Sequence, residues 1–285
     1  MIGPEDEGAR PPTGPGFGDA VTFAWGDAGA ELYGITRIGV LDGKTVNVLG
    51  FVFAGSELAG SFVAGGEGAE AVDWAKVSAG GLEAEIVTPL EAWRVAGTTE
   101  GAAFDLRFTA VSAPAELQSA LTGIEGYEQL CRVEGTVRAG GREREISCLG
   151  QRGHEYGRPD WERLSVARTV SAWIGEDTGV VVGAARPTGA SAHDAEELTA
   201  VVFDPEPVMV DDPRLSTVYD ADGRHRRAGL ELWVSDEDEY PRRLAGEAVC
   251  GTTLDIAPLR LDVAFFHWHM EGREGVGRYD VMRRP

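Results

Sequence analysis

Hydrophobic and polar residues alternate along most of this chain. In "FDLRFTA", Phe104, Leu106 and Phe108 fall on one face while Asp105, Arg107 and Thr109 fall on the other. "VTFAW" aligns Val21, Phe23 and Trp25 in the same way, and "AGLELWV" aligns Ala228, Leu230, Leu232 and Val234. Successive side chains leave a pleated backbone in opposite directions, so a period of two predicts strands with one face on a core and one face wet.

Turn residues separate these runs at hairpin spacing. Asp42-Gly43 joins "ITRIGV" to "KTVNVLG", Gly140-Gly141 joins "LCRVEGTV" to "REREISC", and Asp222-Gly223 joins "LSTVY" to "AGLELWV". Such pairs supply the positive φ angles of two-residue hairpins. "GEDTG" and "EGREG" read as longer hairpin loops. Helix is scarce; "APAELQSAL" (Ala113–Leu121) suits one short helix with Pro114 in its first turn. Turn spacing predicts about 16–20 short strands, which suits two barrels or one long meander. The expected architecture is all-β and two-part. A boundary at Gly150 leaves domains of 19–149 and 150–285 after an acidic, Pro/Gly-rich arm at 1–18 that is expected to be disordered.

Composition narrows the partners. A chain of 285 residues with a net charge of −21 repels phosphate backbones, so nucleic acid is an unfavourable partner. No apolar run approaches the ~20 residues of a bilayer-spanning helix, and the acidic start is unlike a signal peptide. The expectation is a cytoplasmic protein without stable membrane insertion, for which a homodimer is allowed. Three cysteines, Cys131, Cys148 and Cys250, lack CxxC spacing and read as buried thiols rather than a disulfide or zinc framework.

Polar residues interrupt several apolar faces. Gln129 lies in phase with Tyr127, Cys131, Val133 and Val137, and Arg168 with Leu164, Val166, Val170, Ala172 and Ile174. His267 and His269 continue the alternation of Leu259, Leu261, Val263 and Phe265. A polar group on an apolar face needs a partner or lines a cavity. For Gln129 the plain reading is a satisfied core amide, for Arg168 an ion pair. The two histidines share a face but lack a third metal ligand in the sequence, so no metal site is assigned.

One segment concentrates reactive groups: "GQRGHEYGRPDW", Gly150–Trp161. Its glycines predict a turning backbone. His154 is a proton donor suited to neutral pH, Glu155 or Asp160 can orient it, and Tyr156 and Trp161 offer flat apolar faces. This combination suits acid chemistry on a hydrophobic molecule. The competing reading is an interdomain clasp of ion pairs through Arg152, Arg158 and Arg168.

"YEQLCRVEGTV…GGRE…GQRGHEYGRPDWERL" resembles the signature region of the AttH/CrtC-like proteins, which include hydroxyneurosporene synthase (carotenoid 1,2-hydratase) and are related in structure to tocopherol cyclase and lipocalin-like Diels–Alderases. The likeness runs over residues 100–175 and continues through "RAGLELWV…GEAVCGTTLD…EGREGVGRYDV". It implies two lipocalin-like antiparallel β-barrel domains with an apolar ligand cavity. It also implies a histidine, matched by His154, that serves acid chemistry on a polyene double bond. Tyr156 stands where the family has tryptophan, and the family's downstream Tyr-x-Asp pair has no match here.

Two function classes follow. The first is a hydratase-like or cyclase-like enzyme acting on a lipophilic polyene, terpenoid or polyketide, with His154, Glu155 and Asp160 catalytic and Tyr156, Trp161, Gln129 and Arg168 holding substrate. No nucleotide, flavin or metal motif accompanies them, so no cofactor is expected. The second is a lipocalin-like carrier that binds a hydrophobic small molecule unchanged.

Overall fold

The hairpin turns form at the predicted dipeptides because those residues tolerate left-handed backbone. Asp42 and Gly43 adopt φ of 53° and 67°, Gly140 and Gly141 58° and 73°, and Gly223 74°. The alternation of Phe104, Leu106 and Phe108 is likewise realised: all three are buried while Asp105 and Arg107 are exposed.

The computed structural model describes residues 2–67, 72–190, 196–204, 206–235, 237, 239–256 and 258–284. Its strands in the first half are β1 (Gly18–Asp27), β2 (Leu32–Leu41), β3 (Thr45–Ala54), β4 (Glu57–Glu67), β5 (Lys76–Ala79), β6 (Leu82–Thr88), β7 (Ala92–Thr98), β8 (Ala102–Ala110), β9 (Ala115–Ser119), β10 (Ile124–Ala139) and β11 (Arg142–Gly157). The second half holds β12 (Leu164–Ile174), β13 (Thr178–Pro187), β14 (Glu197–Phe203), β15 (Pro207–Met209), β16 (Asp212–Tyr219), β17 (His225–Trp233), β18 (Arg242–Ile256), β19 (Leu259–Met270) and β20 (Arg273–Arg283).

The first sheet is nearly closed and barrel-like, in the order β4-β3-β2-β1-β11-β10-β8-β7-β6-β5, with β9 pairing β10 off that path. The second is a half-barrel in the order β15-β14-β13-β12-β20-β19-β18-β17-β16. This is the two-domain lipocalin-like architecture. Each sheet wraps its own core. Trp25, Phe62, Trp93, Phe104 and Phe108 meet inside the first, and Val182, Leu232, Phe266, Trp268 and Tyr279 inside the second. Among the described residues no helix is long and apolar enough to cross a membrane.

Three local expectations differ from the structure. "APAELQSAL" contains strand β9 rather than a helix, since its residues alternate in burial and pair with β10; tertiary pairing overrides local propensity. The chain divides into Met1–Glu116 with Ile124–Pro159, and Leu117–Gly123 with Asp160–Pro285. Gly150 therefore lies within β11, an uninterrupted strand of the first unit, and not at a boundary. The arm read as disordered holds a 3-10 turn at Pro4–Glu7, and Glu7 is buried.

Candidate functional site

The segment "GQRGHEY" runs flat as the second half of β11, paired with β1 on one side and β10 on the other. Its glycines serve close approach rather than turning. A Cβ on Gly150 would lie 2.4 Å from the Ala24 carbonyl oxygen, and only Gly157, with φ of 147°, bends the backbone where the strand ends. Because β11 is extended, Arg152, His154 and Tyr156 share one face. They share it with Asp19 of β1 and Tyr127 and Gln129 of β10, at the barrel end that the N-terminal arm reaches.

His154 is 0% exposed, and its Nε2 lies 2.7 Å from Asp19 Oδ1. The other Asp19 oxygen accepts hydrogen bonds from the Trp74 indole and the Arg10 backbone N–H, each 2.8 Å. A carboxylate held by three donors is fixed in place, and it imposes the Nε2–H tautomer on a neutral imidazole. Nδ1 is buried without a hydrogen-bond partner. The rings of Trp74, Tyr127 and Tyr156 stand edge-to-face around the imidazole, with centroids 6.4, 5.6 and 5.6 Å away.

Arg152 lies beside this pair. Its guanidinium sits 4.4 Å from the Trp93 ring centroid and 4.9 Å from that of Tyr127, and it pairs with Glu7 Oε1 at 2.6 Å. Burial pushes the Glu7 carboxyl up from its ordinary range, opposed by the Arg152 charge. Burial also pushes the Tyr127 phenol up to about 12, so it stays neutral.

The remaining predicted residues fall elsewhere. Glu155 is half-buried and, as the neighbour of His154 on a strand, points to the opposite face. Asp160 is exposed and accepts the Glu162 N–H; with Trp161 it belongs to the second unit. Neither carboxylate partners His154. Gln129 is a core amide that donates to the Leu90 and Ser112 carbonyls at 3.0 and 2.8 Å. Arg168 forms an ion pair with Glu196 and donates to Thr217 Oγ1 and the Tyr279 hydroxyl at 3.1 and 3.3 Å. His267 is half-buried and His269 exposed, both beside Glu274, on the face of β19 opposite the core residues Phe266, Trp268 and Met270. Among the described residues no three His, Cys, Asp or Glu side chains are placed to share a metal ion. All three cysteines are free thiols, and burial pushes each up to about 12.

Sequence reasoning missed Asp19, Glu7, Trp74 and Trp93. Asp19 carried a usable signal, since it precedes Val21, Phe23 and Trp25 at a period of two and so breaks an apolar face. Glu7 carried none.

Comparison with known proteins places the fold. The model of a domain of unknown function, DUF7064, matches residues 3–285. A search of curated proteins finds no match. Among solved structures, a protein provisionally assigned as AttH from Nitrosomonas europaea is similar at 11% identity and a TM-score of 0.72, covering 99% of this chain and 96% of its own. Kievitone hydratase from Nectria haematococca is similar at 11% identity and a TM-score of 0.65, covering 93% and 88%. CghA with Sch210972 is similar at 10% identity and a TM-score of 0.66, covering 95% and 89%. The AttH-like resemblance read from residues 100–175 thus holds at the level of the fold across the whole chain.

Proposed function

The chain belongs to the DUF7064 family, and we propose that it is an acid–base enzyme that hydrates or cyclises a lipophilic unsaturated molecule inside the first barrel. The observation that carries this reading is the buried His154–Asp19 pair with a free Nδ1. An unpartnered nitrogen alone does not mark chemistry, since His225 in the second sheet also leaves Nδ1 without a partner while its Nε2 bonds a backbone carbonyl; what sets His154 apart is the carboxylate. In His154 one nitrogen is fixed by that carboxylate and the other is left facing aromatic side chains, which is the arrangement of a proton-transfer group.

In the imidazolium form, Nδ1–H donates its proton to one carbon of an alkene, and Asp19 offsets the charge on the ring until that transfer occurs. Water adds to the resulting cation and loses a proton to Nδ1, so the net reaction is addition of water and the imidazolium is restored. Where an internal carbon captures the cation instead, loss of a ring proton to Nδ1 completes a cyclisation. His154 is the catalytic residue in this scheme, and Asp19 is a positioning residue. Kievitone hydratase shares the fold, which agrees with the reading at the level of architecture.

The full burial of His154 favours a second reading, a carrier that encloses a hydrophobic ligand without altering it. His154→Ala separates the two when affinity and turnover are measured on the same protein. The enzyme reading expects ligand affinity within about threefold of wild type and turnover reduced about 10²-fold or more. A wild-type protein that binds ligand and releases it unchanged leaves the carrier reading standing.

A further inference from the structure

The Arg152–Glu7 pair has an unusual provenance. Arg152 belongs to β11 and is 1% exposed, whereas Glu7 comes from outside the barrel on a single four-residue 3-10 turn and is 2% exposed. A guanidinium held between two aromatic faces is preorganised for a planar carboxylate. The barrel supplies the cation and its walls, while the carboxylate arrives on the N-terminal arm.

Apart from the buried Glu7 side chain and the Asp42 N–H bond to the Phe17 carbonyl, a few bonds among the described residues tie the arm to the barrel. Arg10 N–H bonds Asp19, the Arg10 guanidinium lies over Tyr156, Arg158 bonds the Pro15 carbonyl, and Asp42 accepts from Gly16 and Phe17. Ladder pairing begins only at Gly18. Segments tied by a few side-chain bonds open at lower free energy than paired strands. Burial acting against the Glu7 carboxylate works in the same direction.

We propose that Glu7 occupies the position of a ligand's carboxylate, and that the first barrel binds a lipophilic monocarboxylic acid when the arm withdraws. The acid group pairs with Arg152, and its apolar body lies against Trp74, Trp93 and Tyr127. A single anionic charge fits because Glu7 and Arg152 neutralise one another, and a dianion would add charge beside Asp19. The inference deepens the reading of His154 and rests on it for the ligand's reactive end. Arg152 and His154 are two residues apart on one strand face, about 7 Å along it, so a chain anchored at Arg152 passes Nδ1.

The test uses the full chain carrying Glu7→Ala. Acetate, which matches the CH2–COO− group removed beyond Cβ, is expected to raise the melting temperature of Glu7→Ala saturably and to leave wild type unchanged; acetamide is expected to leave both unchanged. Decanoate, followed by tryptophan fluorescence, is expected to bind Glu7→Ala at least about tenfold more tightly than wild type, with decanol inactive. Adding Arg152→Met should abolish both responses. Should Glu7→Ala fail to fold, Glu7→Gln keeps the shape without the charge and must likewise bind decanoate more tightly than wild type. Equal responses to acid and neutral partner, or no response to either, overturn the proposal. Because the readout is binding, inactivity of the His154 centre would leave it intact, and turnover of a neutral substrate would not rescue it.

Discussion

At the scale of single residues, the proposed chemistry turns on how Asp19 holds His154. Its two oxygens serve the imidazole, the Trp74 indole and the Arg10 backbone, so Asp19→Asn removes a charge that three donors address. The expected cost is about 2 kcal/mol of stability by urea unfolding. In nitrogen-15 NMR, the His154 Nε2–H signal held by the carboxylate should be lost, and ligand turnover should fall while affinity persists. An unchanged imidazole signal would show that Asp19 does not set the tautomer. The sequence made His154 visible because it sits between glycines with other reactive groups. It misdirected the choice of partner, because proximity along a strand is the wrong measure: Glu155 follows His154 and so faces away, while Asp19 lies 135 residues back but on the neighbouring strand.

At the scale of elements, β11 carries the candidate site, and its glycines explain why it looked like a turn. Composition alone does not distinguish a glycine needed for positive φ from one needed so that two backbones can pass closely. Gly150 is of the second kind, and its missing Cβ leaves room for the Ala24 carbonyl. Gly150→Ala is expected to destabilise the protein by about 1–3 kcal/mol, measured as a lower urea midpoint at unchanged slope. A neutral effect would mean that β1 and β11 separate more easily than their pairing implies. The arm is the converse case. Its acidic, Pro/Gly-rich composition reads as disorder, yet one carboxylate finds a buried arginine 145 positions on, a long-range match that no local pattern reveals.

At the scale of the whole molecule, the strand periodicity and turn dipeptides made the all-β, two-part architecture legible, because hairpins such as those at Asp42-Gly43 and Gly140-Gly141 leave a local mark. The division of the chain was less legible, since the boundary depends on where β11 ends and not on composition. The second sheet carries its own buried histidine, His225, stacked on Phe266 and hydrogen-bonded through Nε2 to the Tyr279 carbonyl at 2.7 Å. Burial lowers its pKa from near 6.5 to about 4. An unfolded chain binds that proton near pH 6.5 and the folded one does not until about pH 4. The contribution is therefore present above pH 6.5 and is lost as pH falls through that window, by about 3 kcal/mol in all. Urea unfolding at pH 7, 5.5 and 4 should show this loss in wild type and a shallower one in His225→Gln. Parallel slopes would contradict it.

The central claim is that His154 moves a proton to a ligand's carbon. The most direct measurement incubates wild type and His154→Ala in deuterium oxide with lipophilic polyenes and unsaturated acids, and follows product mass. Product from wild type should carry one deuteron on carbon, with little or none formed by His154→Ala despite retained binding. Equal labelled product from both proteins, or bound ligand recovered unlabelled from wild type, would contradict it.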